Sequence, residues 1–380
     1  MTHILTLNAG SSSLKYGLYE ATDPPRPLTT GKVGRIGSTA RLSPADGPAR
    51  DLPGVTDHAT AFISVLSELH DTHPKARVTA VGHRVVHGGL DYDAPIRLTP
   101  EILTKLDALS PFAPLHQPHN LAGVRAAISA FPEAAQIACF DTAFHRNHPF
   151  VNDTFALPRR YYEAGVRRYG FHGLSYDYIA SDLAQHEPDL SRVIVAHLGN
   201  GASMCAMRDG RSIASTMGFS ALDGLPMGTR SGQLDPGVVL YLMDQQGMSP
   251  GQITELLYNQ SGLKGLSGLT NDMRDLEASS DPHAAEAIDY FTFRIRRELG
   301  ALAVSLGGLD GVVFCGGIGE NSAMIRARVC EGLDWIGISC DADRNAANAR
   351  VISPEGSPVR VMTIPTNEEI VIARAALALG

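Results

Sequence analysis

The feature that most constrains the fold is an apolar strand that runs directly into a glycine-rich turn at residues 192–204, RVIVAHLGNGASM. The apolar run at residues 193–196 predicts a strand that is covered on both faces. The glycines of the following turn leave backbone N–H groups free to converge, which is how a chain holds phosphate oxygens. A plain hairpin is the alternative, and this turn alone does not decide between the two.

The same plan occurs at the beginning of the chain and again near its end. Residues 3–20 predict a strand, a small-residue turn at residues 8–13 and a second strand, and residues 311–322 predict a strand followed by a turn at residues 316–319 that opens a helix. None of the three turns has the P-loop or GxGxxG spacing. The presence of three such turns after strands in one chain nevertheless favours a nucleotide whose phosphates are bound by several backbone turns. An internal duplication is the economical explanation, with two lobes presenting turns to one ligand across a cleft.

Composition and element order limit the class of protein. The net charge of −8 argues against nucleic acid as a partner, and no apolar run is long enough to cross a membrane. Five cysteines without paired spacing predict reduced thiols in a cytoplasmic protein. Alternating strands and helices predict an α/β fold, with a junction near residues 148–168. We therefore expect an N-terminal lobe at residues 1–147, joined by a C-terminal helix at 367–380, and a nucleotide-binding lobe at residues 148–366.

Several charged residues occupy positions that suit anion chemistry. Arg84 ends a predicted strand, and Arg230 lies in a long loop with little regular structure, at residues 218–237. Surface salt bridges are the alternative for both, but a planar guanidinium at such positions favours carboxylate or phosphate binding. His172 could donate a proton to a transferring phosphoryl group. Asp141 and Glu368 are either capping residues or carboxylates on the Mg²⁺ side of such a site.

Eight short strings in one order carry a resemblance to a known family: NAGSSSLK, GHRVVHGG, FDTAFH, RYGFHG, HLGNGAS, MGTRSG, GGIGENS and PTNEE. Together they resemble the acetate kinase family, collinearly from residue 3 to the C-terminal helix. The resemblance implies the acetate and sugar kinase/Hsc70/actin fold, with two duplicated actin-like (ribonuclease H-like) lobes around a nucleotide cleft, usually as a homodimer. It also implies direct in-line transfer of the ATP γ-phosphoryl group to acetate, reversibly, giving ADP and acetyl phosphate. The implied metal is Mg²⁺, with Mn²⁺ as a substitute.

The resemblance also implies roles for individual residues. The implied catalytic residues are Arg84, Asp141, His172 and Arg230. The implied acetate pocket consists of Arg84, Val86, Leu115, His116, Phe171 and Ala221. The implied ATP-binding residues are Lys15, His197, Leu198, Gly199, Asn200, Gly201, Asp272, Met273, Arg274, Gly317, Ile318, Gly319, Glu320 and Asn321. Asn8 and Glu368 are the implied metal residues, and Ser11 and Ser13 lie in the first turn.

One position departs from the family pattern. Ala221 stands where the family usually has proline, and a smaller residue there could widen the acyl pocket enough to admit propionate. A neutral change at the rim of the pocket is the alternative. The competing functions are therefore a propionate or butyrate kinase on the same scaffold and, in a different class, an actin-like or Hsc70-like ATPase switch. The switch has no need of a carboxylate pocket beside Arg84 and Arg230.

Overall fold

The computed structural model describes residues 2–10, 12–114 and 116–380. The chain forms two compact units, Met1–Arg146 with Asn367–Gly380, and Asn147–Thr366. Among the residues described, the strands are β1 (His3–Ala9), β2 (Leu14–Glu20), β3 (Arg26–Gly34), β4 (Arg41–Pro44), β5 (Arg50–Asp51), β6 (Val78–Val85), β7 (Ile96–Arg97), β8 (Ala135–Phe140), β9 (Arg192–Leu198), β10 (Ala202–Arg208), β11 (Arg211–Ser215), β12 (Gly311–Cys315) and β13 (Arg360–Thr363).

Helices connect and cover these strands. In the same described part of the chain they are α1 (His58–Thr72), α2 (Pro100–Asp107), α3 (Gln117–Ala130), α4 (Phe150–Asp153), α5 (Arg159–Glu163), α6 (Gly173–His186), α7 (Pro236–Asp244), α8 (Pro250–Asn259), α9 (Gly262–Ser267), α10 (Met273–Ala278), α11 (Pro282–Leu306), α12 (Gly316–Asn321), α13 (Ala323–Cys330), α14 (Ala342–Ala346) and α15 (Glu368–Leu379). Short 3₁₀ turns occur at Ser110–Phe112, Ala143–His145 and Asp334–Ile336. No helix in the described ranges is long and apolar enough to cross a membrane.

The two units are built on one sheet plan. In the first unit the strand order is β5-β4-β3-β2-β1-β6-β8-β7, and in the second it is β11-β10-β9-β12-β13. Strand β1 pairs antiparallel with β2 and parallel with β6, and β9 pairs antiparallel with β10 and parallel with β12 in the same way. The α/β class and the duplicated actin-like (ribonuclease H-like) plan are therefore confirmed.

Buried apolar strands account for both sheets. The burial of β9 and β12 is nearly complete, as expected for parallel strands covered on both faces. The long helix α11 supplies a buried stripe in the second unit, which includes Ile288, Phe291 and Ile295 at helical spacing. It begins at the capping residue Asp281 and ends at Gly307 in the left-handed conformation.

The C-terminal helix α15 belongs to the first unit, where it packs on β1, β6 and β8. Gly82 of β6 makes this packing possible, because a Cβ atom there would lie 2.5 Å from Cγ2 of Ile372. The close approach fixes the first turn of α15, which carries Glu368, against the sheet. The five cysteines are free thiols, and four of them are buried, as the sequence predicts.

Candidate active site

In the first unit, Arg84 and Asp141 come together at the ends of two adjacent parallel strands. Arg84 is the second-last residue of β6. Asp141 directly follows β8, which pairs with β6 in parallel. The Arg84 Nε lies 3.0 and 3.1 Å from the two carboxylate oxygens, and Nη2 lies 2.6 Å from Oδ2. Burial lowers the pKa of Arg84, but the charges of Asp141 and Glu368 outweigh it and hold the pKa above its ordinary value. The guanidinium is therefore permanently charged.

Asn8 connects this ion pair to the first turn of α15. Its Oδ1 accepts a hydrogen bond from Arg84 Nη1 at 3.3 Å, and its Nδ2 donates to Glu368 Oε2 at 2.8 Å and Glu369 Oε1 at 3.2 Å. Lys15, which faces Asn8 across β1 and β2, places Nζ 3.6 Å from Glu369 Oε1. Thus Asn8, Lys15, Arg84, Asp141 and Glu368, all implied by the family motifs, form one cluster. Glu369 joins it without having been predicted.

The donor chemistry of this cluster fits Mg²⁺. The side chains of Asn8, Asp141, Glu368 and Glu369 offer hard oxygen ligands, the type that Mg²⁺ prefers. Among the residues described, no group of three or more acidic, histidine or cysteine side chains is arranged to hold a metal by itself. In proteins, Mg²⁺ is usually held by one or two carboxylates together with substrate phosphates and water.

Of the other first-unit residues implied for the acetate pocket, Val86 directly follows β6. Val86 is buried and its amide donates to Asn120 Oδ1 at 3.0 Å, while Asn120 Nδ2 donates to the Ala9 carbonyl at 2.9 Å. His116 is the residue before α3. Leu115 and Ser11 lie outside the described residues. Asn120 is a residue that the motif analysis missed, although its place one turn after His116 in PLHQPHN is the signal that could have found it.

In the second unit, His172 and Arg230 converge over the central glycine turn. A Cβ atom on Gly201 would lie 2.8 Å from Arg230 Nη2 and 3.2 Å from His172 Nε2, so both side chains pass directly over this glycine. His172 precedes α6 in the left-handed conformation, with φ of 59°. Two nitrogen groups that face one point above a glycine can hold an anion between them.

The same turn meets the third glycine segment. A Cβ on Gly199 would lie 3.8 Å from the Gly317 amide nitrogen, and one on Gly316, where φ is +75°, would lie 2.7 Å from the Leu198 carbonyl oxygen. Only glycine fits Gly316, because of both the positive φ and the close approach. The structure therefore brings together two of the three glycine segments that the sequence singles out.

The imidazole of His197 stacks on that of His172, with ring centroids 4.4 Å apart. Its Nδ1 lies 2.8 Å from Ser175 Oγ, which donates to Thr366 Oγ1 at 2.8 Å. Asn200, at the tip of the turn, is exposed and accepts a hydrogen bond from Asn271 Nδ2 at 3.0 Å through its side-chain oxygen. His197 and the turn are thus held by neighbouring side chains.

The loop that carries Arg230 is anchored at both ends. Arg230 Nη1 donates to the Ala221 carbonyl at 2.8 Å, so Ala221 holds the arginine through its backbone. Gly262 lies so close to the Met227 carbonyl that a Cβ there would be 2.1 Å from the oxygen. Gly262 was missed in the sequence, because nothing near it indicates contact with a loop 30 residues earlier.

The other nucleotide candidates of the second unit show different environments. Asp272 caps α10 and forms an ion pair with Arg274, and the first cause of its lowered pKa is that hydrogen bond. The Glu320 Oε1 accepts from the amides of Gly316 at 2.9 Å and Thr366 at 3.0 Å.

The remaining candidates differ in burial. Leu198, Met273 and Phe171 are buried, whereas Ile318 is partly exposed. Asn321 Nδ2 donates to the Gly317 carbonyl at 2.8 Å, and the Gly319 carbonyl accepts from the buried Arg326.

Comparisons with known proteins show the family to which the chain belongs. The model of the acetokinase family matches residues 3–374. The acetate kinase of Methylocella silvestris is 56% identical over 99% of this chain and 97% of its own length. Among solved structures, a propionate kinase from Francisella tularensis superposes with a TM-score of 0.93 at 36% identity. The Porphyromonas gingivalis acetate kinase superposes with a TM-score of 0.88, also at 36% identity, and in both cases each chain is fully covered. With eight motifs in order, one duplicated fold and a match along nearly its whole length, this chain belongs to the acetokinase family.

Proposed function

We propose that this protein is an acetate kinase, a phosphotransferase that moves the ATP γ-phosphoryl group to acetate and back. The observation that carries the proposal is the convergence of His172 Nε2 and Arg230 Nη2 above Gly201. Family membership supplies the substrates, since relatives at 56% and 52% identity are named acetate kinase. We further propose that the lobes expected at residues 1–147 with 367–380 and at 148–366 act as the two halves of this enzyme.

Charge explains why these residues suit the reaction. Acetate is already an anionic nucleophile and needs no general base, but its repulsion from the γ-phosphoryl group must be cancelled. Arg230 and His172 would neutralise and position the transferring group, and Arg84, oriented by Asp141, would hold the acetate carboxylate. Asn8 and Glu368 would hold Mg²⁺, which supplies charge neutralisation on the phosphates when it is bound.

The nucleotide would bind through the backbone turns of the second unit. The glycine turn at residues 199–201 lies close to the segment at residues 317–321, since a Cβ atom built on Gly199 would be 3.8 Å from the Gly317 amide nitrogen. Backbone N–H groups of glycine turns suit phosphate oxygens, and Leu198 and Met273, which are buried, would serve as packing residues. A cytoplasmic location accords with an ATP-dependent enzyme whose cysteines are all free thiols.

The direct test is the formation of acyl phosphate, trapped as its hydroxamate, with ATP, Mg²⁺ and acetate. We expect one hydroxamate for each ADP released and no ADP release without a carboxylic acid. Release of ADP that does not depend on acetate would instead support an actin-like or Hsc70-like ATPase. Omitting Mg²⁺, and then supplying Mn²⁺ in its place, tests the metal proposal in the same assay.

A propionate kinase is the second candidate, for two reasons. Ala221 replaces the proline usual in the family, and one structural relative is named a propionate kinase. One methylene in an apolar pocket changes transition-state binding by only about 1–3 kcal/mol, so we expect acetate to be preferred and propionate to react at reduced kcat/KM. Comparison of acetate, propionate and butyrate decides between the two, and an Ala221→Pro variant should sharpen the preference for acetate.

We propose that the protein forms a homodimer through an exposed apolar surface on α7. None of the α7 side chains is buried, and Val238, Leu240, Tyr241 and Met243 are 40–60% exposed. Gln233, just before α7, accepts a hydrogen bond from Arg294 Nη2 of α11 at 2.8 Å, and α11 also carries exposed aromatic side chains, Tyr290 and Phe293. Apolar surfaces of this kind are typical of homodimer contacts. Sedimentation of the wild type and of Leu240→Glu tests it: a monomeric wild type would contradict the proposal.

A further inference from the structure

A chain of buried hydroxyl groups lies behind the imidazole of His172. Ser203 Oγ lies 2.8 Å from His172 Nδ1, and the phenol oxygen of Tyr176 lies 2.5 Å from Ser203 Oγ. Both Tyr176 and Ser203 have no solvent exposure. The resemblance implies no role for either residue, although Ser203 ends the string HLGNGAS, and the proposed reaction does not use them.

Regular secondary structure fixes all three side chains. Tyr176 is in the first turn of α6, where its amide donates to the His172 carbonyl at 3.1 Å. Ser203 belongs to β10, where it pairs with His197 of β9. Because a helix and a strand hold the two hydroxyls, the ring orientation of His172 is set by the fold of this unit.

The direction of the hydrogen bonds follows from where the protons can reside. The buried phenol of Tyr176 holds its proton, since burial raises its pKa well above its ordinary value, and we assign it as the donor to Ser203 Oγ. The Ser203 hydroxyl then has its own single proton to donate, and His172 Nδ1 is the acceptor within 2.8 Å. A neutral imidazole that accepts at Nδ1 carries its proton on Nε2.

We infer that Tyr176 and Ser203 are positioning residues that keep His172 in the tautomer with the proton on Nε2. That nitrogen is the one directed at Gly201 beside Arg230. In this tautomer His172 donates a hydrogen bond to an anion, whereas the opposite tautomer would present a lone pair to it. The inference rests on the proposed function only in taking the anion to be the transferring phosphoryl group; the tautomer itself depends on this unit alone.

Kinetics test the consequence for the reaction. In Tyr176→Phe and Ser203→Ala, we expect kcat to fall about 10–100-fold, as for other residues that orient a functional histidine, with KM for ATP and acetate changed by less than about twofold. Tyr169→Phe is the matched control, since it removes another buried hydroxyl, which donates to the Gly165 carbonyl at 2.7 Å, and should leave kcat unchanged. An equal loss of kcat in all three variants would show that Tyr176 acts only through packing and would contradict the inference.

Nitrogen NMR tests the tautomer without any substrate. In the full chain with ¹⁵N-labelled histidine rings, the signals of His172 are those missing from His172→Gln. We expect the wild type to show a protonated Nε2 and a bare Nδ1, and both hydroxyl variants to gain the form protonated at Nδ1. A wild-type ring protonated at Nδ1, or no change in either variant, would overturn the inference. If the wild type forms no acyl phosphate, the proposed function fails, and the NMR result still decides this inference.

Discussion

At the scale of single residues, the ion pair of Arg84 and Asp141 has a structural role besides the one proposed for it in acetate binding. The carboxylate is only 1% exposed, so Arg84→Ala leaves a buried charge without its main partner. We expect the free energy of unfolding to fall by about 3–5 kcal/mol. In the double variant with Asp141→Ala the loss should be smaller, because the unpaired carboxylate is removed as well. Urea unfolding measures both. Arg41→Ala, which removes an ion pair with two exposed members, should cost under about 1 kcal/mol; an equal loss there would contradict the argument.

A buried histidine predicts how stability depends on pH. Burial lowers the pKa of His83 to about 4, despite its hydrogen bond to Gln136 at 2.7 Å. Between pH 6.5 and 4 the unfolded chain therefore binds more protons at this site than the folded one, and the free energy of unfolding falls as the pH falls. The slope from one such group is at most about 1.4 kcal/mol per pH unit. His83→Gln should flatten the measured dependence in this range, and the exposed His70→Gln should not.

At the scale of elements, the contact of β6 with α15 connects fold and site. Gly82→Ala would place a methyl group 2.5 Å from Ile372 Cγ2 and 3.1 Å from its carbonyl oxygen. We expect thermal unfolding to show a loss of about 1–3 kcal/mol, and the affinity for Mg²⁺ to fall because α15 carries Glu368. Gly300→Ala is the control: it lies in a helix with no atom within 4 Å of the new Cβ, and should stabilise by up to about 1 kcal/mol. A Gly82→Ala variant as stable as the wild type would show that α15 can shift away from β6 at little cost, which would contradict this argument.

The elements also show what could be predicted from the sequence. The glycine turns after β1, β9 and β12 were visible because apolar runs and small residues have strong local signals. Asn8, Arg84, Asp141 and Glu368 were found through motifs at strand and helix ends. Glu369, Asn120 and Ser203 act through contacts with residues distant in sequence. The strings PTNEE, PLHQPHN and HLGNGAS contain them but do not show what their side chains contact. Gly262 is a similar case, since only the folded loop needs it.

At the scale of the whole molecule, the two units share one sheet plan but differ in the residues at the ends of their strands. In the first unit the strand ends carry charged side chains, Arg84 after β6 and Asp141 after β8. In the second unit the corresponding strand β12 is followed directly by Gly316, and the turn after β9 contains Gly199 and Gly201. Duplication followed by this divergence accounts for the proposal that one unit of the 380-residue chain binds the carboxylate and metal and the other binds the phosphates.

The central claim is that donors above Gly201 carry the phosphoryl transfer, and the turnover of Arg230→Ala tests it most directly. Arg230 is partly exposed and its Nη1 donates to a backbone carbonyl, that of Ala221, so we expect the variant to keep its fold, which circular dichroism and thermal unfolding can verify. With ATP, Mg²⁺ and acetate, acyl phosphate formation should fall about 10³–10⁵-fold, the range for arginines that neutralise a transferring phosphoryl group. Near-normal turnover in a folded Arg230→Ala would contradict the account.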